Sequence, residues 1–173
     1  VHENSSGATT GGGISNGGAL ALTDCTVSKN SGSSGGGIGH SSTTAALTLT
    51  GCTVSQNTAS AFGGGIHHAS NFPLILTNCT ISGNDGVNSS GGILLPTASQ
   101  TAQITGTAIT GNTTAGTGGG ISNRGTITFD NASSVTGNTA AGQGSGIYNA
   151  GSVTLNGATV NGNNPATDQC FGC

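Results

Sequence analysis

Carboxylates, imidazoles and thiols have the most chemistry to offer, and this sequence carries few of them. The acids are Glu3, Asp24, Asp85, Asp130 and Asp168. Polysaccharide hydrolysis or lyase cleavage needs clustered acids, often with a basic partner or calcium. Aligned on the repeat derived below, Asp24 and Asp130 fall about four coil rises apart, or about 19 Å along a β-solenoid axis. A glycosidase pair sits roughly 5–9.5 Å apart. Asp85 lies in another part of the repeat. The acids therefore read as scattered solvated charges, and no catalytic residue is assigned.

The histidines are better placed. Asn16, His40, His68, Leu95, Asn123 and Asn149 share one repeat position, so His40 and His68 are expected to stack in adjacent coils about 5 Å apart. Two imidazoles at that spacing are the candidates for a transition-metal site, with His67 next in sequence. No Cys or carboxylate joins them, and the column is otherwise mostly Asn. The expected role is a polar surface ladder, with no metal and no cofactor.

The thiols form two groups. Cys25, Cys52 and Cys79 recur every 27 residues and read as small core-packing residues. Adjacent coils would hold their Cα atoms about 4.8 Å apart, inside the disulfide range, so a bonded pair with one free thiol is also open. Their column continues through Thr107, then Ala132 or Ser133, then Ala158. Cys170 and Cys173 form a Cys-x-x-Cys without the βαβ pattern of a redox domain or the second pair of a zinc site. They are expected to make a terminal clasp or a covalent link to another subunit. Thr23, Thr50, Thr77 and Thr105, beside Thr26, Thr53 and Thr80, make a hydroxyl array suited to ordering water. It lapses in the last two coils and is interrupted by Asp24 and Asn78. Asn-x-Ser/Thr sequences at Asn4, Asn78, Asn88, Asn112 and Asn131 are what an Asn- and Thr-rich chain yields by chance.

What positions these residues is a repeat. A glycine run closed by Ile recurs at Ile14, Ile38, Ile66, Ile93, Ile121 and Ile147, and a closing Asn at Asn30, Asn57, Asn84, Asn112, Asn138 and Asn163. Both markers give a period near 27 residues. Between them, apolar residues alternate with polar ones, the period of a strand: Leu20, Leu47, Leu74, Ala102, Ile127 and Val153 in one column, and Leu22, Leu49, Leu76, Ile104, Phe129 and Leu155 in the next. Val27, Val54, Ile81, Ile109, Val135 and Val160 form a third. Such a unit cannot bury its apolar stripe alone, so coils must stack. The chain is thus all-β, a parallel β-helix (β-solenoid) of about six coils with two or three short strands each. Residues 1–163 form one domain with a partial first coil, and 164–173 a tail with the Cys pair. The glycines supply a sharp corner with positive φ. The closing Asn tolerates the left-handed region, and stacked Asn side chains can bond one another. Variable loops at Ser41–Ala45, Ala69–Pro73 and Pro96–Thr101 follow the corner and are where recognition is expected.

The 173 residues include 34 Gly, no Met or Trp, and only two cations, Lys29 and Arg124, for a net charge of −3. Two cations exclude the basic footprint of a nucleic-acid binder. No segment approaches the 18 or so consecutive apolar residues of a membrane span. The sequence begins in mid-repeat, as a mature protein or an excised fragment would.

Gly-Gly-x-Ile paired with an apolar-x-x-Asn close (Val54-Ser55-Gln56-Asn57, Ile81-Ser82-Gly83-Asn84) resembles the repeats of polymorphic outer-membrane proteins and related bacterial surface proteins, with Val or Ile here in place of their usual Phe. The resemblance runs from Val1 to about Asn163. It implies a right-handed parallel β-helix in a cell-surface or secreted setting. The expected function is a non-catalytic extracellular structural solenoid: a fibre subunit associating with itself end to end, or an adhesin-like stalk. A β-helix that binds or processes carbohydrate, with surface glycans as partners, is the alternative. An ice-binding solenoid is the third.

Overall fold

The computed structural model describes residues 1–7 and 9–173. Among the described residues there is no α-helix, so none is long and apolar enough to cross a membrane. The chain winds into a β-solenoid of about six turns, and all its strand pairings are parallel. Each full coil contributes strands to four sheets rather than to two or three. The isoleucine sheet has seven strands, beginning Ile14–Asn16, Ile38–His40 and Ile66–His68. The leucine sheet (Leu20–Thr23, Leu47–Thr50, Leu74–Thr77 onward) and the valine sheet (Thr26–Ser28, Thr53–Ser55, Thr80–Ser82 onward) have six each. A short sheet of five strands follows the closing Asn, beginning with Ser31–Ser34 and Thr58–Phe62. Seven strands at about 4.8 Å spacing make a rod about 29 Å long.

The register matches the sequence columns. Leu74 pairs with Leu47 and Ala102, and Ile81 with Val54 and Ile109. These columns and the corner isoleucines fill the interior from Val27 to Ile147. In the terminal coils, Leu20 and Leu22 at one end and Val153, Leu155 and Val160 at the other are only partly buried.

The closing asparagines run through the interior as a ladder. Each Nδ2 donates to the Oδ1 of the next Asn at 2.9 Å, from Asn4 through Asn30, Asn57, Asn84, Asn112 and Asn138 to Asn163. The same Oδ1 also accepts the backbone N–H of the preceding rung. The other Nδ2 proton goes to a backbone carbonyl, as from Asn84 to Val54 at 3.0 Å. Buried polar groups must be paired, and this geometry pairs them in every coil. The left-handed residue is not the ladder Asn but the one before it, Lys29 (φ 54°), Gln56 (φ 55°) or Gly83 (φ 60°). The turn must complete before the amide can point inward.

At the corner, Gly35 takes φ 67°, and Gly37 makes a close approach. A Cβ there would lie 2.7 Å from the Gly65 carbonyl and 2.9 Å from Asn57 Nδ2. Glycine thus allows the corners to stack against the ladder. The segment 164–173 is not a separate tail. Cys170–Phe171 pairs with Ile147–Tyr148 as the seventh strand of the isoleucine sheet, and Gln169 Oε1 accepts the last ladder proton from Asn163 at 3.0 Å.

Candidate binding groove and the histidine column

The residue after each corner isoleucine points out of the isoleucine sheet, because strand side chains alternate. In register these residues are Ser15, Gly39, His67, Leu94, Ser122, Tyr148 and Phe171. Alongside runs a second column at the edge of the short sheet, Ser34, Phe62, Ser89 and Thr117. Between them lies a groove of about 690 Å³, lined also by Asn88, Pro96 and Arg124. That size is within the range of small-ligand sites. Its floor is Leu94, which faces outward yet is 6% exposed, and Ser122 at 4%. One wall presents Phe62, 43% exposed. At the far end Tyr148 stacks on Phe171 with ring centroids 5.4 Å apart and planes 2° from parallel.

The electrostatics are simple. Arg124 brings a formal positive charge, and its backbone, just past the strand Ile121–Asn123, is fixed by its N–H donating to the Leu95 carbonyl at 3.0 Å. Burial pushes the His67 imidazole below its ordinary pKa, so it is neutral at physiological pH. None of the five carboxylates lines the groove. Its chemistry is that of a binding site: aromatic faces, hydroxyls, an amide, a neutral imidazole and a guanidinium. The variable loops beyond the corner, where recognition is expected from the sequence, contribute only Pro96 to the lining. The signal was available in the column directly after the isoleucines, where His67, Leu94 and Tyr148 break a run of small residues.

The Asn/His column is placed differently from expectation. His40 and His68 do stack, with ring centroids 5.3 Å apart and planes 13° from parallel, but they are 1% and 0% exposed. The column is buried rather than a surface ladder, because a residue two after an inward Ile also faces inward. Its polar groups are used to close the following loop. Asn16, Asn123 and Asn149 donate to the carbonyl two residues on, at Gly18, Gly125 and Gly151. Where the loop is longer, the longer imidazole reaches further. His40 Nε2 donates to Ala45 O at 3.2 Å and His68 Nε2 to Phe72 O at 2.8 Å. His40 Nδ1 accepts from Asn16 Nδ2 at 2.9 Å, whereas His68 Nδ1 is buried without a partner. Both rings use Nε2 on loop carbonyls. Lone pairs in the planes of parallel rings run side by side rather than converging on one ion. Among the described residues, no group of three or more His, Cys, Asp or Glu is arranged to hold a metal.

Cys25, Cys52 and Cys79 share one column as free thiols, so no pair among them is bonded. The Cys52 and Cys79 thiols donate to carbonyls of Thr50 and Thr77, each at 3.3 Å, and burial pushes the Cys79 thiol pKa up. Ser133 rather than Ala132 continues the column, accepting the Thr107 N–H at 3.2 Å. Cys170 and Cys173 are disulfide-bonded within the chain, Cα atoms 5.7 Å apart. Asp130 accepts from Ser133 Oγ at 2.6 Å and Gly106 N at 3.0 Å, which hold its carboxyl below the usual range. Thr23, Thr50, Thr77 and Thr105 stand in register on one edge of the leucine sheet. Asn112, within a sequon, is a buried ladder rung.

No protein-family model matches the sequence, and neither a curated protein nor a solved structure matches it.

Proposed function

We propose that the chain is a non-catalytic extracellular β-solenoid, an adhesin-like stalk whose rod presents the groove to surface glycans. The observation carrying this reading is the groove itself. Its exposed Phe62 and half-buried Tyr148 flank a floor of Leu94 and Ser122 with hydroxyl and amide groups alongside. Aromatic faces pack against the apolar faces of sugar rings, and hydroxyl and amide groups match their edges. The resemblance to bacterial surface repeats and the Cys170–Cys173 disulfide support an oxidising, extracellular setting. The test is a glycan array probed with the wild-type chain and with a Phe62→Ala/Tyr148→Ala double variant. Retention of a glycan set by the wild type alone is expected. A blank array, or equal retention of both chains, refutes the reading.

A second reading, a filament of stacked copies, is favoured by the partly buried Leu20 and Leu22 at one end and Val153, Leu155 and Val160 at the other. A further coil supplied by a second copy would bury these side chains by parallel strand addition. Electron microscopy at high concentration distinguishes it: uniform short rods alone exclude a filament.

A further inference from the structure

Resting on the groove reading, the charge distribution says which glycans fit. We infer that the groove takes an acidic glycan, with Arg124 holding a uronate carboxylate beside a sugar ring seated at Tyr148. The protein carries a net charge of −3 and has only two cations. Lys29 lies 3.9 Å from the Glu3 carboxylate in the first coil, away from the groove. Arg124 is exposed in the lining and, among the described residues, has no carboxylate within ion-pair distance. The groove is therefore a locally positive strip on an acidic protein.

A guanidinium presents a planar fork that matches a carboxylate. The spacing suits a sugar chain. Ser122, two residues before Arg124, pairs with Tyr148 in the next coil, so the anion and ring subsites are offset by one coil rise, about 4.8 Å, along the axis and by two strand residues, about 6.6 Å, across it, a gap that the long arginine side chain spans. That is within reach of a carboxylate borne by the ring at Tyr148 or by its neighbour. A single cation does not suit a densely charged polymer such as nucleic acid, whose binding requires several phosphates to be neutralised together. The neutral imidazole of His67, the Asn88 amide and the hydroxyls of Ser89 and Thr117 suit the uncharged remainder of such a chain.

The experiment is calorimetry of the whole chain with a hyaluronate octasaccharide, its methyl ester, a sulfated octasaccharide and a neutral glucan octasaccharide. The uronate is expected to bind more tightly than its ester, and more weakly as salt is raised. Arg124→Gln should weaken uronate binding roughly ten- to hundredfold, the loss of one charge-assisted contact, and leave the ester unchanged. Ester binding as tight as the acid, or an Arg124→Gln variant indistinguishable from wild type on the acid, overturns the inference while leaving a neutral-glycan groove in place. Preference for the sulfated probe overturns the uronate assignment in favour of sulfate esters. Displacement of the uronate by oligoglutamate reassigns the groove to acidic peptides. No binding of any of the four sugars refutes the glycan reading beneath it.

Discussion

Asn84→Ala tests whether the amide ladder holds the coils together. Asn84 donates to Val54 O at 3.0 Å and to Asn112 Oδ1 at 2.9 Å, and its Oδ1 accepts the N–H and Nδ2 of Asn57 at 3.0 and 2.9 Å. Alanine removes all four. Asn112 Oδ1 keeps the backbone N–H of residue 84 as a donor, so it is not orphaned. The Asn57 N–H and the Val54 carbonyl lose these partners, and Asn84 is 0% exposed, so water does not replace them without local opening. At about 1–3 kcal/mol per unsatisfied buried group, the cost of two such groups is on the order of 2–6 kcal/mol, a large part of a typical total of about 5–15 kcal/mol. Asn84→Asp should be worse near neutral pH. It places a carboxylate oxygen where two acceptors already face it, and it should recover partly on acidification. Asn161→Ala, at an exposed site on the valine sheet, is the control and should change stability by about 0.5 kcal/mol or less. Urea unfolding followed by circular dichroism gives the midpoints, and amide exchange reports the Asn57 N–H directly. If Asn84→Ala unfolds at the same urea concentration as Asn161→Ala, the ladder is not what joins the coils.

Three further outcomes follow from the same structure. His68 is held neutral, its pKa pushed down to about 4 from 6.5 by burial. The unfolded chain therefore binds the proton first, and stability present above pH 6.5 is lost as pH falls toward 4. The loss is on the order of 3 kcal/mol from this residue, and melting at pH 7 and pH 4.5 should show a slope that His68→Asn reduces. Gly37→Ala puts a Cβ against the Gly65 carbonyl and Asn57 Nδ2 and should destabilise by about 1–3 kcal/mol or more, whereas Gly17→Ala, with open space, should be nearly neutral in thermal melts. Thiol labelling of the native chain should modify Cys25, which is partly exposed, well before Cys52 and Cys79, which are buried. Equal rates for the three would contradict their placement.

The period, the three apolar columns and the cysteine column were legible because a solenoid repeats one packing problem. Each column of the sequence is a column in space. The ladder asparagines were legible as a stack, though their left-handed partner is the preceding residue, whose type varies from Lys to Gln to Gly. The Asn/His column was misplaced outside because residue polarity outweighed alternation. Ile66 and His68 point the same way, and the imidazole is satisfied by a loop carbonyl that no sequence pattern announces. The short sheet escaped because three of its five strands, such as Asp85–Gly86, are only two residues long and too short to show alternation. The groove escaped because its walls come from residues such as Phe62 and Tyr148, which lie three coils apart and in different columns.

The ladder also has a mechanical meaning. Its bonds, like those of all four sheets, run along the rod axis from coil to coil. Tension on the two chain ends therefore does not load every rung at once. It peels the terminal coil from its neighbour while the rest of the rod stays intact. Each coil released frees about 27 residues, or about 90 Å of extended chain. The rod would yield by stepwise unspooling, lengthening at nearly constant force where a bundle would snap.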